Sequence, residues 1–207
     1  ATGSWTLKSL IGTSVTAAAA PSVLVWGGST TLSGTAKLPA GATLELAARE
    51  GAVSEFSSVD VISPAAGSYS RTLQPAMNTW YRVSYAGTPT VAESSASVRV
   101  LVRRKIALVG LSSSVVRSGV AGRSIALIAA ASPARAGLSI SFQLYRWDAA
   151  RARYVYAGSF GRSTDAAGRA RLDWTPKAGR WAWRVAVAPD AEFANNLTAA
   201  YRWSISR

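Results

Sequence analysis

A twofold internal repeat constrains the fold of this chain more than any other feature of its sequence. Residues recur in the same order at offsets of 95 to 102 positions: Thr30 and Leu32 as Ile125 and Leu127, Ala65-Ala66-Gly67 as Ala166-Ala167-Gly168, Pro75 as Pro176, and Tyr81-Arg82-Val83 as Trp183-Arg184-Val185. A common order at nearly one offset predicts a unit of about 100 residues that occurs twice.

Each unit is predicted to consist of seven strands, because runs rich in β-branched and aromatic residues alternate with Gly, Pro, Ser and Asp clusters. The runs lie near 14–25, 29–36, 42–49, 54–62, 67–74, 79–86 and 94–103, and near 105–117, 123–131, 138–147, 153–160, 167–174, 180–188 and 197–206. This spacing is typical of an antiparallel β-sandwich. The Ala-rich stretch 17–20 ends at Pro21 among β-branched residues, so we expect a strand there and not a helix.

Alternation along the runs assigns side chains to the core, because residues two apart share a face of a strand. The rows predicted to point inward are Leu44 and Leu46; Tyr81, Val83 and Tyr85; Ile140, Phe142 and Leu144; Ala170, Leu172 and Trp174; and Trp181, Trp183, Val185 and Val187. Ser141 and Gln143 are predicted to point outward, as are Arg169, Arg171 and Asp173. Arg71 shares a row with apolar residues, so we expect it to reach solvent from a sheet rim.

Several segments resemble the tandem immunoglobulin-like domains of secreted and surface proteins from GC-rich bacteria: residues 27–34 (GGSTTLSG), Gly67-Ser68-Tyr69, Pro75 and Tyr81-Arg82-Val83. The resemblance covers nearly the whole chain except the first dozen residues. It implies that the pairs Leu32 and Val83, and Leu127 and Val185, replace the disulfide of antibody-type domains. It also implies that Tyr81 and Trp183 occupy the corner-tyrosine position, where a tryptophan lacks the hydroxyl.

The predicted organisation is an N-terminal arm, residues 1–12, followed by domain 1, residues 13–103, and domain 2, residues 104–207. Only Arg103 and Arg104 separate the last run of the first unit from the first run of the second. A join so short and free of Gly predicts a stiff connection.

The composition excludes much chemistry. The chain has no Cys and no His, which removes disulfides, imidazole bases, His-centred triads and zinc sites built on Cys or His. The ten acidic residues are scattered, and no phosphate-binding loop or nucleophile elbow occurs. We therefore expect no catalytic residues, no metal site and no cofactor. Apolar stretches such as 125–131 are far shorter than the roughly 20 residues of a membrane span.

Positive charge is concentrated in the second unit. Residues 1–103 carry seven basic and five acidic side chains, a net +2, and residues 104–207 carry 16 basic and five acidic, a net +11. This suggests an acidic polymer or an acidic protein surface as partner, although Arg outnumbers Lys 19 to 4, a bias that a GC-rich genome also produces. RNA-binding signatures are missing, which disfavours nucleic acid.

Three groups of residues are candidates for contacts with a partner. The basic set could form one face that binds a polyanion, or could serve only solubility: Arg151, Arg153, Arg162, Arg169 and Arg171. Trp80 and Trp147 are the candidate surface aromatics. In the arm, Trp5, Leu7, Leu10 and Ile11 are apolar and residues 5–9 alternate like a strand with one buried face.

The sequence therefore predicts a non-catalytic module that is extracellular or on the cell surface. In the first interpretation it is a structural subunit of a surface, filament or adhesin that self-associates head-to-tail through its arm. The alternative for the arm is that it folds back onto its own first domain. The second interpretation is a binding module for anionic glycan or cell-wall polymer, and the third is a virion decoration or tail protein. The chain begins at Ala1, as expected of a chain that has lost a leader or of an excerpt.

Overall fold

The computed structural model describes residues 10–53 and 55–207, and the chain divides into two compact units. The first unit ends at Val102 and the second is Arg103–Arg207. The described residues form strands, turns and loops, and none of them belongs to a helix that could cross a membrane. The prediction of an all-β chain is confirmed.

The first unit is built from nine strands: β1 (Ser14–Val15), β2 (Ala18–Ala20), β3 (Val23–Val25), β4 (Thr30–Lys37), β5 (Leu44–Glu50), β6 (Ser57–Ile62), β7 (Ser68–Leu73), β8 (Thr79–Tyr85) and β9 (Ser94–Arg103). In one sheet, β4 pairs with β1, β2 and β7. The other sheet has the order β3-β9-β8-β5-β6.

The second unit has nine strands as well: β10 (Lys105–Leu108), β11 (Val116–Val120), β12 (Ile125–Ser132), β13 (Ser139–Asp148), β14 (Arg153–Ser163), β15 (Arg169–Trp174), β16 (Gly179–Val187), β17 (Asn196–Leu197) and β18 (Tyr201–Ser206). Its smaller sheet has the order β10-β12-β15. Its larger sheet has the order β11-β18-β16-β13-β14, with β17 also paired to β16. The two units thus share one strand order, and it is that of immunoglobulin-like sandwiches.

The first predicted run of the first unit is divided between the two sheets, and the first predicted run of the second unit, near 105–117, is followed by a further strand, β11, in the other sheet. In the first unit, β1 and β2 pair with β4, whereas β3 pairs with β9. The ladder is interrupted at Pro21, which has no backbone N–H to donate. In the second unit, β10 pairs with β12 and β11 runs parallel to β18. The stretch 17–20 forms strand β2 in large part, as expected.

The predicted inward rows form the two cores. Leu44, Leu46 and Val83 are fully buried in the first unit, as are Phe142 and Trp183 in the second, while Tyr85 is only half-buried. The positions that the resemblance assigned to a disulfide are also buried: Leu32, Val83, Leu127 and Val185. Apolar packing joins the sheets at these positions.

Arg71 reaches the rim of its sheet, where it finds a partner. Its Nε donates a hydrogen bond to Asp60 Oδ2 at 2.9 Å, so the pair links the edge strands β6 and β7. The hydrogen bond from Arg71 lowers the pKa of Asp60.

The tyrosine hydroxyl that binds the backbone of the opening segment belongs to Tyr69, which donates to the carbonyl of Thr16.

Candidate functional site

The acidic side chains of the second unit are largely occupied by its own arginines. Asp148 pairs with Arg151, Asp173 with Arg171, and both Asp190 and Glu192 pair with Arg104 and Arg135. The fifth, Asp165, accepts the backbone N–H of Arg169. Four of the 16 basic residues are therefore paired, and the other twelve have no carboxylate partner among the described residues.

The predicted arginine set is divided between the two sheets, because β14 is an edge strand of the larger sheet and β15 is an edge strand of the smaller one. Arg151 and Arg153 lie at the hairpin between β13 and β14, and Arg162 lies nine positions after Arg153, or about 30 Å along an extended strand. Arg169 and Arg171 occupy the outward row of β15, as expected. All five are exposed, and within the described part of the chain Arg151 and Arg171 alone have carboxylate partners, each at 2.9 Å.

The outer face of the larger sheet in the second unit carries an aromatic strip, which we define as Tyr145 and Trp147 of β13 with Tyr154 and Tyr156 of β14. Tyr145 lies opposite Tyr156, and Trp147 lies opposite Tyr154. The ring centres are 5.7 and 5.2 Å apart, and both pairs are edge-to-face. Of these four residues, only Trp147 was predicted from the sequence as a surface aromatic.

A cleft adjoins the aromatic strip on the same sheet; we call it the polar cleft after the hydroxyl and amide groups in its lining, although half of its lining residues are apolar. Its volume is about 340 Å³, and it is lined by Ser139, Ser141, Gln143, Ala186, Val187, Ala188, Pro189, Asn195, Asn196 and Leu197. Gln143 joins the two regions, because its Oε1 accepts a hydrogen bond from the Tyr145 hydroxyl at 3.1 Å. Asn196 is held in place, since its Nδ2 donates to the Arg104 carbonyl.

Three arginines border the aromatic strip and the polar cleft. The Arg180 guanidinium lies 4.5 Å from the centre of the Trp147 ring. Arg184 lies opposite Gln143, and Arg202 is separated from Tyr145 only by Ala182. None of the three has a carboxylate partner in the part of the chain that the structure describes. The outer face thus combines ring surfaces, amide and hydroxyl groups, and uncompensated positive charge.

The corresponding face of the first unit is organised differently. Trp80, the other predicted surface aromatic, is half-buried, and its ring centre lies 5.9 Å from the Arg49 guanidinium and 5.8 Å from that of Arg99. Phe56 is likewise contacted by Arg49 at 5.2 Å and Arg82 at 4.5 Å. Both rings are therefore engaged by the unit's own arginines.

The predicted arm is described only in part, because Trp5 and Leu7 lie outside the described residues. The backbone N–H of Ile11 donates to the Thr90 carbonyl at 3.0 Å, and the Ile11 carbonyl accepts from the N–H of Ala92 at 2.9 Å. Ile11 therefore pairs with its own first unit. The side chains of Leu10 and Ile11 nevertheless remain 49% and 64% exposed.

Among residues 10–53 and 55–207, no group of three or more acidic side chains is arranged to hold a metal ion. Burial raises the pKa of Tyr81 to about 12, aided by the negative charge of Glu50 and offset in part by a hydrogen bond with Thr79. This hydroxyl stays protonated at neutral pH and belongs to the core.

Sequence reasoning missed Tyr145, Tyr154, Tyr156 and Arg180 as candidates for this face. The signal was present, because Ser141 and Gln143 were assigned outward and their row continues through Tyr145 to Trp147. Tyr154 and Tyr156 have the same two-residue spacing on the other arm of the hairpin. The sequence did not show that the pairing of β13 with β14 shifts in register between Leu144 and Tyr145. Because of this shift, Tyr145 lies opposite Tyr156 and Trp147 lies opposite Tyr154.

No protein-family model and no curated protein matches this chain. Among solved structures, the fibronectin(III)-like modules of Clostridium thermocellum CbhA are 15% identical, over 89% of this chain and 88% of theirs, with a TM-score of 0.31. The Yersinia pseudotuberculosis adhesin InvE is 16% identical over 91% of this chain and 58% of its own, with a TM-score of 0.36. The human OSCAR ligand-binding domain is 18% identical over 92% of this chain and 96% of its own, with a TM-score of 0.34. Similarities this low say nothing about a ligand or partner.

Proposed function

We propose that this chain is a non-catalytic module of the cell exterior whose second unit binds an anionic glycan or cell-wall polymer. The observation that supports it is the ion pairing of that unit: four arginines pair with the available carboxylates, and twelve basic residues have no such partner among the described residues. The charge of +11 is therefore locally uncompensated, and it attracts polyanions.

The test measures binding of polygalacturonate and of polyphosphate to the full chain by calorimetry at low salt. Binding of at least one polymer supports the proposal. A chain that binds neither polymer at low salt contradicts it.

Two double variants with equal net charge identify the arginines that make contact. Arg153 and Arg169 have no carboxylate partner among the described residues, so both side chains are free to contact the polymer. Each contact contributes about 1 kcal/mol, so replacing both residues with Ser should lower the affinity for the polymer at least tenfold. The matched control replaces Arg151 and Arg171, which are paired with Asp148 and Asp173. We expect a smaller loss for the control. Equal losses would show that net charge acts without these contacts.

Self-association through the arm is the second candidate, and the exposed side chains of Leu10 and Ile11 favour it. Ile11 forms an isolated parallel bridge with Val91 of its own chain, and the arm of a second chain can take the same place by exchange with it. Repeated head-to-tail, that contact gives a filament. Deleting residues 1–11 should abolish assembly in sedimentation experiments and leave both sandwiches folded. A full chain that stays monomeric at high concentration would contradict this candidate.

A further inference from the structure

The aromatic strip exposes more ring surface than the folding of the sheet requires. Cross-strand aromatic pairs stabilise neighbouring strands, and the Tyr145–Tyr156 and Trp147–Tyr154 contacts do so here. Tyr156 nevertheless keeps 60% of its surface exposed, and the other three rings are only half-buried. Clustered exposed apolar surface of this kind marks a site of interaction.

The polar cleft supplies a second kind of contact beside these rings. Its hydroxyl and amide groups come from Ser139, Ser141, Gln143 and Asn195, and Asn195 is exposed. Gln143 is held by the Tyr145 hydroxyl through Oε1, which leaves its Nε2 free to donate. One extended ligand can therefore contact aromatic rings at one end and hydrogen-bonding groups at the other.

We propose that the aromatic strip and the polar cleft together bind a carboxylate-bearing polysaccharide. Sugar rings present C–H faces that pack on aromatic rings, and hydroxyls that exchange hydrogen bonds with amides. Arg180, Arg184 and Arg202, which border the strip and cleft, match the carboxylates in charge. The inference rests on the proposed function, and it narrows the anionic polymer to one built from sugar rings.

The lining of the cleft favours a polysaccharide over single-stranded nucleic acid. A nucleic-acid strand also stacks on aromatic rings, but its sites combine stacking with a positively charged groove that follows the phosphates. The cleft here is lined by Ser, Gln, Asn and small apolar residues, and no Lys or Arg occurs among its described lining residues. These groups can exchange hydrogen bonds with the neutral hydroxyls of a sugar, while the charged groups of the ligand would lie beside the cleft, near the bordering arginines.

The test compares polygalacturonate, which has sugar rings and carboxylates, with polyphosphate, which has charge but no rings, and with poly(dT). Tyr156→Ala and Asn195→Ala alter exposed side chains, so both variants should fold as the parent does. Each should weaken polygalacturonate binding by about fivefold, the size expected for one stacking or hydrogen-bonding contact of about 1 kcal/mol. Neither should change polyphosphate binding.

The matched control is Trp26→Ala, which removes a 40% exposed aromatic residue from the first unit and should change nothing. Suppose that the parent chain binds polyphosphate and polygalacturonate equally, and that Tyr156→Ala and Asn195→Ala bind both polymers with the parent's affinity. The polysaccharide inference then fails, and the proposed function stands. If no polymer binds, both fail. If poly(dT) binds more tightly than polygalacturonate and loses affinity in the same variants, the polysaccharide assignment is overturned.

Discussion

Arg104 anchors the start of the second unit. The residue is 1% exposed, and its Nη2 lies 3.0 Å from Asp190 Oδ2 while Nη1 donates to the Pro133 carbonyl at 3.1 Å. Its guanidinium also lies 3.8 Å from the centre of the Phe193 ring. The side chain therefore ties the beginning of β10 to two loops of the same unit.

We predict that Arg104→Met destabilises the second unit by about 3 kcal/mol, because it removes the buried guanidinium that binds both Asp190 and the Pro133 carbonyl, and leaves Asp190 only the longer contact with Arg135 at 3.7 Å. Urea unfolding followed by tryptophan fluorescence measures this, since five of the eight tryptophans lie in that unit. Arg135→Met is the control: Arg135 contacts the same carboxylates, but its side chain is 55% exposed, so the cost is below about 1 kcal/mol. Equal unfolding midpoints for the two variants would contradict the prediction.

Asp190 gives the second unit a pH dependence. Burial alone would raise the pKa of Asp190, but hydrogen bonds from Arg104 and from the backbone N–H groups of Phe193 and Glu192 outweigh it and lower that pKa below 3.8. A carboxyl with a lower pKa in the folded state stabilises the fold above its unfolded pKa, and this contribution is lost as the pH falls through the folded pKa.

We therefore predict that Asp190→Asn is less stable than the parent at pH 7 and that the difference narrows as the pH falls below about 3.9, the ordinary pKa of an aspartate. Urea midpoints measured across this range test it. Glu45→Gln, which changes an exposed acid without an ion pair, should lower stability little at any pH. A deficit for Asp190→Asn that persists unchanged in acid would exclude a role of the charge.

At the scale of elements, Gly34 lets two strands approach. A Cβ at this position would overlap the carbonyl of Thr16 and lie 2.6 Å from the Tyr69 hydroxyl, the two groups that are hydrogen-bonded to each other. We predict that Gly34→Ala destabilises the first unit by about 2 kcal/mol through this overlap. Gly12→Ala is the control, since no atom of the described residues lies within 4 Å of its Cβ position. Thermal unfolding measures the stability of both variants. Equal melting temperatures for Gly34→Ala and Gly12→Ala would contradict the predicted overlap.

The strands and their faces could be predicted from the sequence, whereas the pairing between strands could not. Alternation identified the buried rows because each core accepts apolar side chains from one face of a strand. It could not show that the run 14–25 divides between two sheets, since both halves are apolar and extended. Trp147 was recognised as a surface residue, but its partner Tyr154 depends on the register of β13 with β14.

At the scale of the whole molecule, the uneven charge predicts a strong dependence of polymer binding on salt. Exposed charges are screened beyond about 8 to 10 Å at physiological ionic strength, and a bound polyanion releases its counterions. Affinity for polygalacturonate should fall at least tenfold between 50 and 200 mM salt. An affinity that does not change over this range would show that the positive charge of the second unit takes no part.

The central claim is that the second unit binds an anionic polymer, and nuclear magnetic resonance of the isotope-labelled full chain tests it most directly. Titration with polygalacturonate should shift backbone signals of residues 139–163, 169–171, 179–187 and 195–206, which carry the aromatic strip, the polar cleft and the arginines expected to contact the polymer. Signals of the first unit should not move. Shifts confined to residues 10–102, or no shifts at concentrations that saturate binding of a polyanion, would contradict the account.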